Sequence, residues 1–217
     1  HRPIFIDCND PTSRVGKFTR MLRQQLDAAK IPYELTSINS SMADFAKHFS
    51  SKQPNAVVLN TEKSPQLTHV FHKLDSLTQR DRGSPSRCML QRLVHLPDYD
   101  LNWFFKYNTY IPSTFFITKQ SDRLLALENS TRRRMAQPMD KTTSRRLALT
   151  GYDHGEYFVR GLRQYGAAFK GLEKQPTKYK ALQTRLRFLP IQGGGQQNRQ
   201  FQLIHFKPDQ TMESLTY

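Results

Sequence analysis

The chain has 217 residues, with thirty-three Lys and Arg against eighteen Asp and Glu, a formal net charge of +15. Apolar residues make up 37%, below the roughly 45–50% of ordinary globular chains. Two cysteines exclude a disulfide scaffold or a zinc ribbon, and no apolar run reaches the ~20 residues of a membrane-spanning helix. What remains is one domain with an extension, or two small domains, carrying excess positive charge that points towards a polyanionic partner.

The first eighty residues alternate between strand and helix patterns. Ile4-Phe5-Ile6 reads as a buried strand, followed by the turn Asn9-Asp10-Pro11-Thr12-Ser13, rich in helix-capping residues. Val15, Phe18, Leu22, Leu26 and Ala29 recur at helical spacing, which predicts a helix burying Phe18 and Leu22. Pro32 ends it. Tyr33 to Asn39 alternates like a strand, Met42, Phe45, Ala46 and Phe49 form a second helical stripe, and Asn55 to Asn60 is the most strand-like run. Ser64-Pro65 starts a third helix with Leu67, Val70, Phe71, Leu74 and Leu77 inward. Such alternation predicts a parallel or mixed sheet covered by helices.

Beyond Arg82-Gly83 the pattern loosens. Ser84-Pro85 predicts a helix through Met89, Leu90 and Leu93, and Ser113 to Thr118 a strand. Residues 141–149 and 156–187 read as basic helices interrupted at Gly151 and Pro176, and Gln202 to Phe206 as a late strand. Gln192 to Gln200 is a Gly/Gln-rich loop. The composition therefore divides the chain into an α/β domain, 1–83, and a basic extension, 84–217, that packs on it and on a partner. Between Arg132 and Arg187 fourteen basic residues meet four acidic ones.

Motifs for catalysis fail on physical grounds. Gly16-Lys17 suggests a P-loop, but position 11 is Pro, which has no N–H for a phosphate, and position 18 is Phe. Asp7 and Asp10 follow a strand as in phosphatase-type sites, yet the spacing is wrong and a capped turn explains them. His69 and His72 lack a second ligand pair, and Gly193-Gly194-Gly195 lacks a dinucleotide fingerprint's spacing. Cys8 has no resolving cysteine three residues on, so dithiol redox chemistry is not expected. No enzyme activity, cofactor, metal or small-molecule substrate is expected.

Cys8-Asn9, Thr12-Ser13-Arg14, and Phe18 with Leu22 in the following helix resemble the opening of a thioredoxin-like family. That family is shared by mitochondrial ribosomal proteins of both subunits and by the B-eight accessory subunit of respiratory complex one. Gly16 falls one place late for the family's turn; Tyr33 to Ile38, Ala56 to Asn60 and Leu67 to Leu77 match its later strands and helix. The resemblance covers residues 3–80, is closest to the large-subunit ribosomal member, and leaves the strand order around residues 41–60 open. It implies a thioredoxin-like mixed sheet with flanking helices and a structural role in the mitochondrial ribosome, with ribosomal RNA and neighbouring ribosomal proteins as partners. Phosphate contacts would come from Arg14, Lys17, Arg132, Arg133, Arg134, Arg145, Arg146, Arg160, Arg163, Lys170, Lys178, Lys180, Arg185 and Arg187. Tyr107, Tyr110 and Tyr165 are candidates for base stacking, although aromatics this frequent also build cores. Two alternatives are an accessory subunit of a respiratory complex, and a nucleic-acid-modifying enzyme using Asp7, Asp10 and Asp153.

Overall fold

A computed structural model describes residues 2–78, 85–90, 100–117, 121–137, 139, 143–171 and 179–216. The chain divides into two compact units, His1–Pro112 with Leu203–Glu213, and Ser113–Gln202 with Ser214–Tyr217. The compositional division at 83/84 falls inside the first of these.

The first unit is an α/β layer structure. β1 (Arg2–Asp7) leads through a capped turn into α1 (Pro11–Val15) and α2 (Lys17–Ala28). β2 (Glu34–Ser37), α3 (Met42–Lys47), β3 (Asn55–Leu59) and α4 (Ser64–Thr78) follow, then β4 (Pro85–Leu90), α5 (Leu101–Lys106) and β5 (Thr109–Ser113). β8 (Gln202–Phe206) and β9 (Met212–Thr216) close a seven-stranded sheet of order β2-β1-β3-β4-β5-β8-β9. β1 pairs in parallel with both β2 and β3, and β3–β4 and β4–β5 are parallel too. The β8–β9 connection is a five-residue reversal with Gln210 at φ 63°, too short for the crossover a parallel pair needs.

Burial on both faces explains the near-continuous apolar strands. Ile4, Phe5 and Ile6 are consecutive and all buried, as are Val57, Val58 and Leu59. α4 buries Leu67, Val70, Phe71, Leu74 and Leu77, as its spacing predicts. The aromatic run after residue 99 supplies core: the Phe71, Trp103 and Tyr107 rings lie nearly parallel, with centroids 5.7–6.1 Å apart. Phe104 meets Phe206 of β8 edge-on at 5.4 Å. Tyr107 is therefore buried rather than open to a base, and Tyr110 stacks on His205 at 4.2 Å.

Several sequence expectations change here. Residues 85–90 form a strand, not a helix: a Ser-Pro helix start is a local signal, and pairing on both sides of β4 overrides it. Pro85 is the strand's first residue, where its missing N–H is tolerated. The expected strand at 113–118 ends at Ser113, and residue 118 lies outside the described residues. Phe18 and Leu22 are only half-buried, and the one fully covered position of α2 is Thr19. The thioredoxin-like sheet is corrected as well. That architecture is mixed, whereas β2-β1-β3-β4-β5 is parallel throughout, the order of open doubly wound sheets.

The second unit contains α6 (Asp122–Met135), α7 (Thr143–Tyr165), and the antiparallel pair β6 (Phe188–Pro190) and β7 (Gln196–Asn198). α7 runs unbroken through Gly151, and residues 179–187 are not helical. The expected Pro176 interruption lies outside the described residues. Gly193, Gly194 and Gly195 carry φ of 86–92° between the paired strands, a left-handed path that explains the glycine run. A small core of Tyr157, Tyr179 and Leu186 holds this unit, with Phe169, Ala181 and Phe188 around it.

Candidate functional site

Open parallel sheets bind ligands outside the carboxyl ends of their strands, where the strand order reverses. Here that point lies between β1 and β3, and the polar residues after both strands meet there. Asp10 caps α1 by accepting from Ser13 N at 3.0 Å. Ser13 Oγ donates to Asp7 Oδ1 at 2.9 Å and accepts from Cys8 N at 2.8 Å. Asn60, immediately after β3, donates through Nδ2 to Thr12 O and Thr19 Oγ1. A Cβ at Gly16 would lie 2.3 Å from Thr12 O, so only glycine lets α1 pass directly into α2. This lattice fixes the loop after β1 against β3.

Beside it opens a cleft of about 380 Å³, lined by Phe5, Asp7, Ser13, Arg14, Thr19, Arg23, Leu35, Thr36, Ser37, Ser40 and His48. Its volume falls within the range of small-molecule sites. Phe5 and Leu35 give it an apolar wall, and serine and threonine side chains supply hydroxyls. Arg23 Nε donates to Tyr33 Oη at 3.2 Å. His48 Nδ1 lies 2.7 Å from Glu34 Oε2; this hydrogen bond, followed by that from Arg2, holds the Glu34 carboxyl below its ordinary value. Besides the terminal nitrogens of Arg23, the cleft holds two charged groups with atoms that have no partner among the described residues. Among the described residues the Arg14 guanidinium has no hydrogen-bond or ion-pair partner. Asp7 Oδ1 accepts from Asn9 N and Ser13 Oγ, while Oδ2 accepts from no described residue. Thr36 Oγ1 is buried without a partner.

Of the residues expected to meet phosphate, only Arg14 lines this cleft. Lys17 is exposed at the start of α2. Arg132, Arg133 and Arg134 are exposed on the last turn of α6, where cations offset the carbonyl end of the helix. Arg145 and Arg146 are on the first turn of α7, with side chains outside the described residues, as is Lys178. Arg160 is engaged by Glu156 at 2.8 Å. Arg163, Lys170, Lys180, Arg185 and Arg187 are exposed, the last two on the run leading into β6.

Of the acidic residues considered for catalysis, Asp10 caps α1 through one oxygen and Asp153 is bonded through both. Asp153 is fully buried, and both its oxygens accept backbone N–H groups: Oδ1 from Leu182 at 2.7 Å, Oδ2 from Gln183 at 2.9 Å and Thr184 at 2.6 Å. These bonds make Asp153 an anchor for the backbone of residues 182–184. Among the described residues no group of three or more His, Cys, Asp or Glu is placed to hold a metal ion. Cys8 and Cys88 are buried free thiols; burial pushes both up, Cys88 to about 12, which suppresses the thiolate.

No family model matches the chain, and no curated protein matches it. Among solved structures the chain is similar to an ABC transporter substrate-binding protein from Desulfitobacterium hafniense in complex with Leu, with a TM-score of 0.53 and 14% identity, covering 99% of this chain and 60% of that one. It is also similar to a branched-chain amino acid ABC transporter from Thermus thermophilus with bound valine, with a TM-score of 0.45 and 12% identity, over 99% and 59%. The chain thus spans about three fifths of these proteins' length, and the first likeness shows the fold alone. It corrects the family resemblance drawn from the sequence. The mitochondrial ribosomal role, the respiratory-complex alternative, the ribosomal RNA and protein partners and the mitochondrial location, drawn from a thioredoxin-like resemblance together with the basic charge, are corrected by the parallel sheet and this neighbour. The exclusion of a small-molecule ligand falls with them.

Proposed function

We propose that the chain is a non-catalytic binding module whose parallel-sheet unit holds a small zwitterion, an α-amino acid or close analogue, in the cleft beside β1 and β2. The observation that carries this reading is that one cleft of about 380 Å³ holds the Arg14 guanidinium and the Asp7 Oδ2 oxygen, neither with a partner among the described residues. A guanidinium presents parallel N–H donors that fit a carboxylate, and the free oxygen of Asp7 accepts from an ammonium. Ser37, Ser40 and Thr36 add hydroxyls, and Phe5 with Leu35 offers an apolar wall to a side chain. The fold of the neighbour solved with Leu supports the ligand class. Ser13 serves as a structural hydroxyl, tied to Asp7 and the Cys8 amide rather than activated by a base.

The test is a thermal-shift series with leucine and valine against isovalerate and isobutylamine, which each lack one of the two charges. Stabilisation by the amino acids and markedly less by the single-charge analogues supports the reading. Equal shifts from all four compounds, or none at millimolar ligand, refute it.

A further inference from the structure

α7 has two faces that both look like interiors. Its inner face carries the buried Leu149, Asp153 and Tyr157. On the opposite side, Leu147, Phe158, Val159 and Leu162 are 60, 41, 65 and 48% exposed. That sector also carries Ala148, Gly151, His154 and Gly155, and no Lys, Arg, Asp or Glu, in a chain with a net charge of +15. A surface helix normally turns charge outward, so an uncharged apolar sector on a 23-residue helix marks an interaction face.

The relief of this face selects its occupant. Leu147, Gly151, Gly155 and Val159 form one i±4 row, low in its middle, where a Cβ at either glycine would meet nothing within 4 Å. The adjacent row, His154, Phe158 and Leu162, stands high, with Phe158 steadied by Phe169 and Phe188 at 6.2 and 5.8 Å. A ridge beside a groove of the same pitch is self-complementary: a two-fold rotation lays the ridge of each helix into the groove of the other. We infer that this face of α7 is the contact between two copies of the chain, formed by i±4 ridge packing about the two glycines. Two such faces bury on the order of 1,000 Å² in total, at the lower bound for a specific interface, which fits a weak, concentration-dependent dimer. The sector's lack of charge keeps the chain's repulsive basic residues out of the contact.

Sedimentation equilibrium of the 217-residue chain at physiological salt tests this. The expected result is a weight-average mass rising from monomer towards twice that value across micromolar concentrations. Gly155→Leu fills the groove from a position where a Cβ meets no described atom within 4 Å, and Leu162→Lys charges the ridge. Each should hold the protein monomeric over the same range, with an unchanged helical circular dichroism signal and melting point. Met21→Ala, at an exposed apolar site of the other unit, should leave the dimer intact. A wild type that stays monomeric throughout, a dimer indifferent to both α7 variants, or a monomer that instead binds anionic phosphatidylglycerol vesicles would overturn the inference.

Discussion

The two units dispose of their apolar residues in opposite ways. Around the parallel sheet, strand residues such as Ile4, Val57 and Leu59 and the whole inner face of α4 are covered. In the unit built on α6 and α7 the buried hydrophobics among the described residues are Leu124, Leu149, Tyr157, Tyr179 and Leu186, while Met135, Leu147, Val159 and Leu162 are exposed. A sheet has two faces that helices can seal, whereas two helices and a two-stranded ribbon enclose little volume. The second unit compensates with polar anchoring: one buried carboxylate, Asp153, organises three consecutive backbone amides, and Tyr157 Oη donates to Gly171 O at 3.0 Å. The first unit therefore has the larger packed core, and the second adds a few directional bonds to a small one.

Substitutions can break that contrast. Phe71→Ala removes a ring enclosed by Trp103, Phe104 and Tyr107 and should cost about 3–5 kcal/mol, whereas Phe158→Ala should cost about 1 kcal/mol or less. Urea melts that ranked the two equally would show that the units do not differ in packing. Asp153→Ala strands three amides and should cost about 3 kcal/mol. Asp153→Asn keeps an acceptor and should cost roughly half as much. Hydrogen exchange should then accelerate at residues 182–184 while α4 stays protected; uniform loss of protection would mean the anchor is not local.

A smaller effect concerns pH. Glu34 is held below its ordinary value first by its hydrogen bond with His48, then by Arg2, so its folded-state value is depressed. Its contribution is fully present above the unfolded value and is lost as pH falls through the folded one. The melting-point difference between wild type and Glu34→Gln should thus close on acidification below the ordinary glutamate range, and a gap that widened there would reverse the sign. The smallest effect is chemical: neither cysteine should react with a thiol reagent at pH 8 until the sheet unfolds, because Cys8 and Cys88 are buried and protonated.

Much of the first unit was legible because most of its elements bury contiguous apolar stripes; β1, α2, β2, α3, β3 and α4 lie where periodicity puts them, although α2 leaves its stripe half-buried. Strand direction was not legible. A β-α-β-α-β order with a Ser-Arg turn fits a mixed sheet as well as a parallel one, and only the register of β1 with β3 separates them. β4 was hidden by the Ser84-Pro85 signal, and the continuity of α7 by Gly151, whose ~1 kcal/mol helix penalty is outweighed by the buried Leu149, Asp153 and Tyr157. Of the residues proposed to bind, Arg14 was visible as a cation near a helix start. The others lining the cleft, among them Asp7, Thr36, Ser37, Ser40 and His48, come from separate elements and form no motif. The basic stretch from Arg132 to Arg187 suggested a polyanion by charge, the resemblance narrowed it to ribosomal RNA, and charge says nothing about fold.

Calorimetric titration of leucine into the wild type, Arg14→Gln, and Arg132→Ala/Arg133→Ala/Arg134→Ala tests the central claim most directly. Saturable binding by the wild type and the triple variant, weakened at least about tenfold in Arg14→Gln, is the result expected if a guanidinium holds the carboxylate. Binding that survives Arg14→Gln unchanged, or no binding by folded wild type at millimolar leucine, would contradict it.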